Sequence, residues 1–175
     1  MRNAERIARL ATLAAAAVLA GAACGASSSS GSVGSAEMTE YACKSDKMYA
    51  AAEAALKKEF HTTMPVDQKQ GMVVSEPQWY SSDGKQRGKM GTPEGVLQKG
   101  DLGFAARVRI TDLKPNYKIN VDAVVRQHPG GSDEPVDIPE GDPRRPAWLQ
   151  ARLDRVAVDV HDQLSGCAAL KRDAR

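Results

Sequence analysis

Two stretches of the chain alternate apolar and polar residues at every second position. In the first, Leu102, Phe104, Ala106, Val108 and Ile110 fall on one side, with Arg107 and Arg109 on the other. In the second, Tyr117, Ile119, Val121, Ala123 and Val125 oppose Lys118, Asn120, Asp122 and Arg126. A strand turns successive side chains to opposite faces. A strict period of two therefore predicts half-buried antiparallel strands with one wet face. The short link Thr111 to Asn116 contains Pro115 and suits a hairpin.

Two other stretches repeat at helical spacing. Met48, Ala52, Ala55, Leu56 and Phe60 form one stripe within Ser45 to Phe60. Ser45 is the expected N-cap, Asp46 favours the first turn, and Glu53 with Lys57 makes an i,i+4 pair. Leu149, Leu153, Val156, Val160, Leu164 and Cys167 form a second stripe over about Pro146 to Gly166, with Pro146 in the first turn. Met72 to Tyr80 is a third candidate strand. Pro77 predicts an edge position for it, because proline has no N–H for the ladder. Ser81 to Gly100 reads as a long loop and Gln127 to Pro143 as a polar one. The order is α-β-β-β-α. The expected fold is an α+β two-layer sandwich, a three-stranded antiparallel sheet with both helices on one face. If those helices lie antiparallel, the start of the first meets the end of the second. Those are the places of Cys43 and Cys167.

Before residue 38 the pattern changes. Arg2, Arg6 and Arg9 precede Leu10 to Ala23, which carries no charge. A basic start, a short apolar run and small residues at its end describe a secretory signal over residues 1–23. The run is too short for a membrane span, which needs about 20 residues. Gly25 to Ser35 is built of Gly, Ser, Ala and Val, a composition that behaves as a flexible tether. Residues 24–37 are the expected tether and 38–175 the single folded domain.

The run ends Leu19-Ala20-Gly21-Ala22-Ala23-Cys24. This resembles the lipobox of bacterial lipoproteins, with Gly21 where that family favours Leu, Val or Ile. The resemblance covers the N-terminal segment alone. It implies a lipid on Cys24, export, and anchoring to a membrane on its extracytoplasmic side. Ala20 and Ala22 also allow ordinary cleavage after Ala22 and release without a lipid. Three cysteines in an exported chain leave one over. A lipid on Cys24 frees Cys43 and Cys167 to pair in an oxidising compartment, the alternative being two unpaired thiols.

The charge of the whole chain is +2. With Arg2, Glu5, Arg6 and Arg9 set aside, acids and bases balance, so no global field draws the protein to nucleic acid. The chain lacks a P-loop, a G-x-G-x-x-G and a G-x-S-x-G. His61, His128 and His161 do not share metal-ligand spacing, and His161, beside Asp159 and Asp162, reads as part of a solvated helix face. Five acids between Asp133 and Asp142 lack the order of a calcium loop and read as solvated. No catalytic, cofactor-binding or metal-ligating set emerges, and the expectation is a protein that is not an enzyme. Trp79 and Tyr80, beside the long loop, are candidate partner-binding aromatics, while Trp148 reads as a staple at the start of the second helix. Arg107, Arg109, Lys118 and Arg126 are candidate partner-binding cations on the open sheet face, interrupted by Asp122. The expected role is a binding or scaffold module for another envelope protein or polymer. The alternative is a ligand-binding or sensory protein with a pocket between helices and sheet.

Overall fold

Main-chain pairing along residues 102–127 organises the rest of the domain. The computed structural model describes residues 39–131 and 133–169. Cys24, its lipobox and the Gly/Ser tether lie outside the described residues. In chain order the elements are β1 (Glu40–Tyr41), α1 (Ser45–Phe60), β2 (Met72–Val74), β3 (Gln78–Tyr80), β4 (Gln86–Lys89), β5 (Thr92–Pro93), β6 (Leu102–Asp112), β7 (Tyr117–Gln127), β8 (Val136–Asp137) and α2 (Ala147–Leu164). Single 3-10 turns occupy Gln68–Gln70 and Ser165–Cys167.

β6 and β7 pair along their whole length, from Leu102 opposite Gln127 to Asp112 opposite Tyr117. The alternation read from the sequence holds: Phe104, Ala106, Val108, Ile119, Ala123 and Val125 are buried on one face. The sheet, however, has eight antiparallel strands and not three, in the order β1-β7-β6-β3-β4-β5, with β2 also on β6 and β8 also on β7. The expected three-stranded sheet is thus overturned. The added strands β1, β4, β5 and β8 hold two to four residues each. Backbone hydrogen bonds suffice to join so few residues to a ladder, and they leave no side-chain period in the sequence.

The expected strand Met72 to Tyr80 is present as two pieces on one side of β6. Val73 lies opposite Val108 and Trp79 opposite Gly103. Ser75 bridges the break: its N–H donates to Ala106 at 2.8 Å, and its Oγ accepts from the Ala106 N–H at 2.9 Å. Pro77 lies in this break, where its missing N–H costs no ladder bond. β3 is not the edge strand that Pro77 predicted, because β4 pairs on its other side. The edge falls instead on β5, a two-residue strand containing Pro93, and such short proline-bearing edges resist strand addition.

α1 covers the span expected of it. Its cap is Lys44 rather than Ser45: Lys44 is extended (φ −66°, ψ 147°) and its carbonyl accepts from Met48. α1 and α2 run antiparallel against the apolar face of the sheet. At one end a disulfide joins Cys43 to Cys167, with Cα atoms 5.5 Å apart. Toward the end of α1, Lys58 pairs with Asp159 of α2 at 2.7 Å and Glu59 with Arg155 at 2.7 Å. Met48, Leu56, Phe104, Val108, Ile119, Leu149 and Val156 are almost wholly withdrawn from water within one continuous cluster. Fully burying such a side chain contributes about 1.5–3 kcal/mol, so the cluster is the main driving force of the fold. Among the described residues no helix is long and apolar enough to cross a membrane.

Candidate functional site

The two helices share one face of the sheet, so the other face of β6 and β7 is built from side chains of opposite parity. Row by row it pairs Arg109 with Asn120, Arg107 with Asp122, Ala105 with Val124 and Gly103 with Arg126. Asp122 is buried between two guanidinium groups, taking Arg107 Nε at 2.6 Å and Arg109 Nη2. Arg126 donates to Asp137 of β8 at 2.9 Å. The expected basic face is therefore a lattice of ion pairs. Half of the Arg109 side chain, half of the Arg126 side chain and 40% of Val124 remain open to solvent. Lys118 is exposed beside Glu40 of β1. Sequence and structure together bring Arg107, Arg109 and Arg126 onto one surface, with Lys118 at its far end.

Trp79 closes the opposite end of this outer face. Its ring covers Gly103, where an added Cβ would come within 3.0 Å of the indole and of Met90. Its Nε1 donates to the Met90 carbonyl at 3.3 Å, and the His128 ring meets it edge-on at 5.9 Å. Trp79 is 3% exposed. Tyr80, equally buried, turns to the helix side and stacks on Phe104 at 4.6 Å. The structure thus places both candidate binding aromatics in packing.

Trp148 anchors the first turn of α2 from outside the core: its indole N–H donates to the Ser82 carbonyl at 2.9 Å, and its ring packs on Tyr80 and Phe104. The Arg152 guanidinium lies over Tyr80 at 5.1 Å and over Trp148 at 5.6 Å. Such contacts contribute roughly 0.5–1 kcal/mol at partly exposed sites. Burial raises the Tyr80 hydroxyl above its ordinary range. His161 does not simply face solvent: its Nδ1 is 2.8 Å from the Tyr41 hydroxyl, which burial pushes up to about 12. Of the five acids in the polar loop, Asp137 and Asp142 are engaged in ion pairs, and Arg144 holds the Asp142 carboxyl down to about 2. Among the described residues no three His, Cys, Asp or Glu side chains converge as a metal site.

A cleft of about 370 Å³ opens at the hairpin end of the sandwich, between the start of α1 and the sheet. Tyr49, Gln68 to Gly71, Ile110, Asp112 and Tyr117 line it. The Tyr49 hydroxyl donates to the Gln68 carbonyl at 3.0 Å and is raised above its ordinary range, first by burial. The Gly71 backbone, in the left-handed region at φ 64°, turns the segment so that its carbonyl accepts from Ile110 N–H at 2.7 Å. The sequence allowed a pocket between helices and sheet but named none of these residues, because the walls come from four separated segments. Tyr49 lies beside a stripe assigned to the core, and Tyr117 belongs to one. No known protein family matches the chain, and neither a curated protein nor a solved structure proves similar to it.

Proposed function

We propose that this chain is an exported, lipid-anchored and non-enzymatic module that binds another component of the cell envelope through the outer face of β6 and β7. One observation carries the reading. Both helices pack on a single face, which leaves Arg109, Val124 and Arg126 on the other face open to a partner. Two arginines share the single carboxylate of Asp122, so the half-exposed Arg109 keeps a net positive charge beside Val124 and the paired Arg126, an arrangement that suits an acidic protein surface or an anionic polymer. Arg107 and Asp122 serve by holding Arg109 in place. The signal-like N-terminus and the resemblance around Cys24 support the location, and the Gly/Ser segment supplies the reach between membrane and domain.

The test is site-specific photocrosslinking in whole cells. A benzophenone side chain at position 124 is expected to trap one discrete adduct, and the same group at exposed Lys47 on the helix side is expected to trap none. Adding Arg109→Glu and Arg126→Glu should abolish the adduct. No adduct from position 124, or equal adducts from both positions, would refute the assignment.

A further inference from the structure

We infer that the cleft at the hairpin end is a binding site for a neutral polyhydroxylated ligand, a saccharide of one or two rings. This site is separate from the outer sheet face, and the inference does not depend on that face binding anything.

The size and the lining point the same way. A volume of about 370 Å³ is at the lower end of ligand-binding clefts and is enough for a small sugar. The charged lining residues are Asp112 and Lys69, one of each sign, so neither an anion nor a cation meets a matching field. The planar amides of Gln68 and Gln70 add both donors and acceptors, the pattern that vicinal hydroxyls require. Tyr117, half-buried on the first position of β7, supplies an aromatic wall of the kind that packs against the C–H face of a sugar ring.

Several of these groups are already held in place. Asp112 Oδ1 accepts from Lys114 N–H at 2.9 Å, which orients the carboxylate. The Gln70 amide donates to Asp67 Oδ2 at 3.1 Å, and the Asp67 carboxylate also caps the 3-10 turn through Lys69 N–H at 2.9 Å. Tyr49 uses its hydroxyl proton on the Gln68 carbonyl, which leaves its oxygen able only to accept. Polar groups fixed before binding lose less entropy when a ligand arrives.

Isotope-labelled full chain would be titrated with glucose, N-acetylglucosamine and the N-acetylglucosamine disaccharide, and separately with inorganic phosphate and magnesium chloride. Saturable amide shifts are expected with at least one saccharide, confined to residues 45–49, 68–71 and 110–117, with a dissociation constant of about 0.1–10 mM. Asp112→Asn and Tyr117→Ala should each weaken binding by about tenfold or more. Gln70→Ala, on an exposed turn, provides the same test if Tyr117→Ala fails to fold. The inference is overturned if no saccharide saturates, if the shifts fall outside the cleft, or if phosphate or magnesium binds there more tightly than any sugar.

Discussion

Replacing Cys43 and Cys167 together by alanine removes the one covalent link between the two ends of the described chain. The bond closes a loop with a sequence separation of 124. In the chain-entropy treatment a loop of that length restrains the unfolded ensemble by about 5 kcal/mol at 25 °C. The native state loses little, because the same corner is also held by hydrogen bonds. Ala42 N–H donates to Cys167 at 2.8 Å, Ala169 N–H donates to Glu40 at 2.7 Å, and Tyr41 bridges to Ala168. The cost therefore arises in the unfolded chain, and we expect a loss of about 3–5 kcal/mol. In urea titrations followed by circular dichroism the midpoint should fall and the m-value should rise, since the released chain exposes more surface. The melting temperature should drop by roughly 10–20 °C. The amide spectrum of the variant should match the wild type outside residues 40–45 and 165–169. A loss below about 1 kcal/mol at an unchanged m-value would refute this reasoning. It would mean that the unfolded chain is already as restrained without the bond as with it.

Three further outcomes are expected. Gly103→Ala places a methyl group against Trp79 and Met90, and should cost about 1–3 kcal/mol by overpacking, with a change in the near-ultraviolet signal of tryptophan. Unchanged stability would show that the indole does not cover Gly103. Tyr41 has its pKa raised from 10.0 to about 12, so it contributes stability that is complete below pH 10 and is lost as pH rises through 12. Tyr41→Phe should flatten the fall in stability over that window and remove the last step of the tyrosinate absorbance titration, and a titration identical to wild type would contradict the assignment. Cys24→Ser should move the protein from the detergent to the aqueous phase in Triton X-114 partitioning, whereas an aqueous wild type beginning at Ala23 would mean release without a lipid.

The long elements could be read from residue order because their side chains repeat. Phe104 to Ile110 and Ile119 to Val125 show both faces of the sheet, and Met48 to Phe60 shows the stripe of α1. The Cys43–Cys167 bond was expected from the cysteine count, and an antiparallel placement of those helices accommodates it. The short strands could not be read, since a strand such as Gln86–Lys89 joins the sheet through backbone groups that any residue carries. Trp79 misled for a related reason. Its place beside a long loop made it a candidate for partner binding, but Met90 from the hairpin inside that loop packs beside it. The signal that could have corrected this is Gly103, a glycine amid an otherwise filled apolar strand, which marks a place where a neighbouring ring approaches the backbone. The acids and bases of the outer face were visible one by one. Their neutralisation was not, because Arg107 and Asp122 meet only once the register of β6 and β7 is fixed.

The corner at β1 also determines how the domain would bear load. A pull applied to the chain at Glu40, with the outer face held by a partner, first meets the pairing of Glu40 and Tyr41 with β7. Two residue pairs of ladder offer modest resistance. Immediately beyond them Cys43 passes the force through sulfur to Cys167 and the end of α2. Tension then divides between the two helices before it can unzip the central hairpin. Under reducing conditions the whole force would run into α1 alone, and that helix would be expected to peel away before β6 and β7 part.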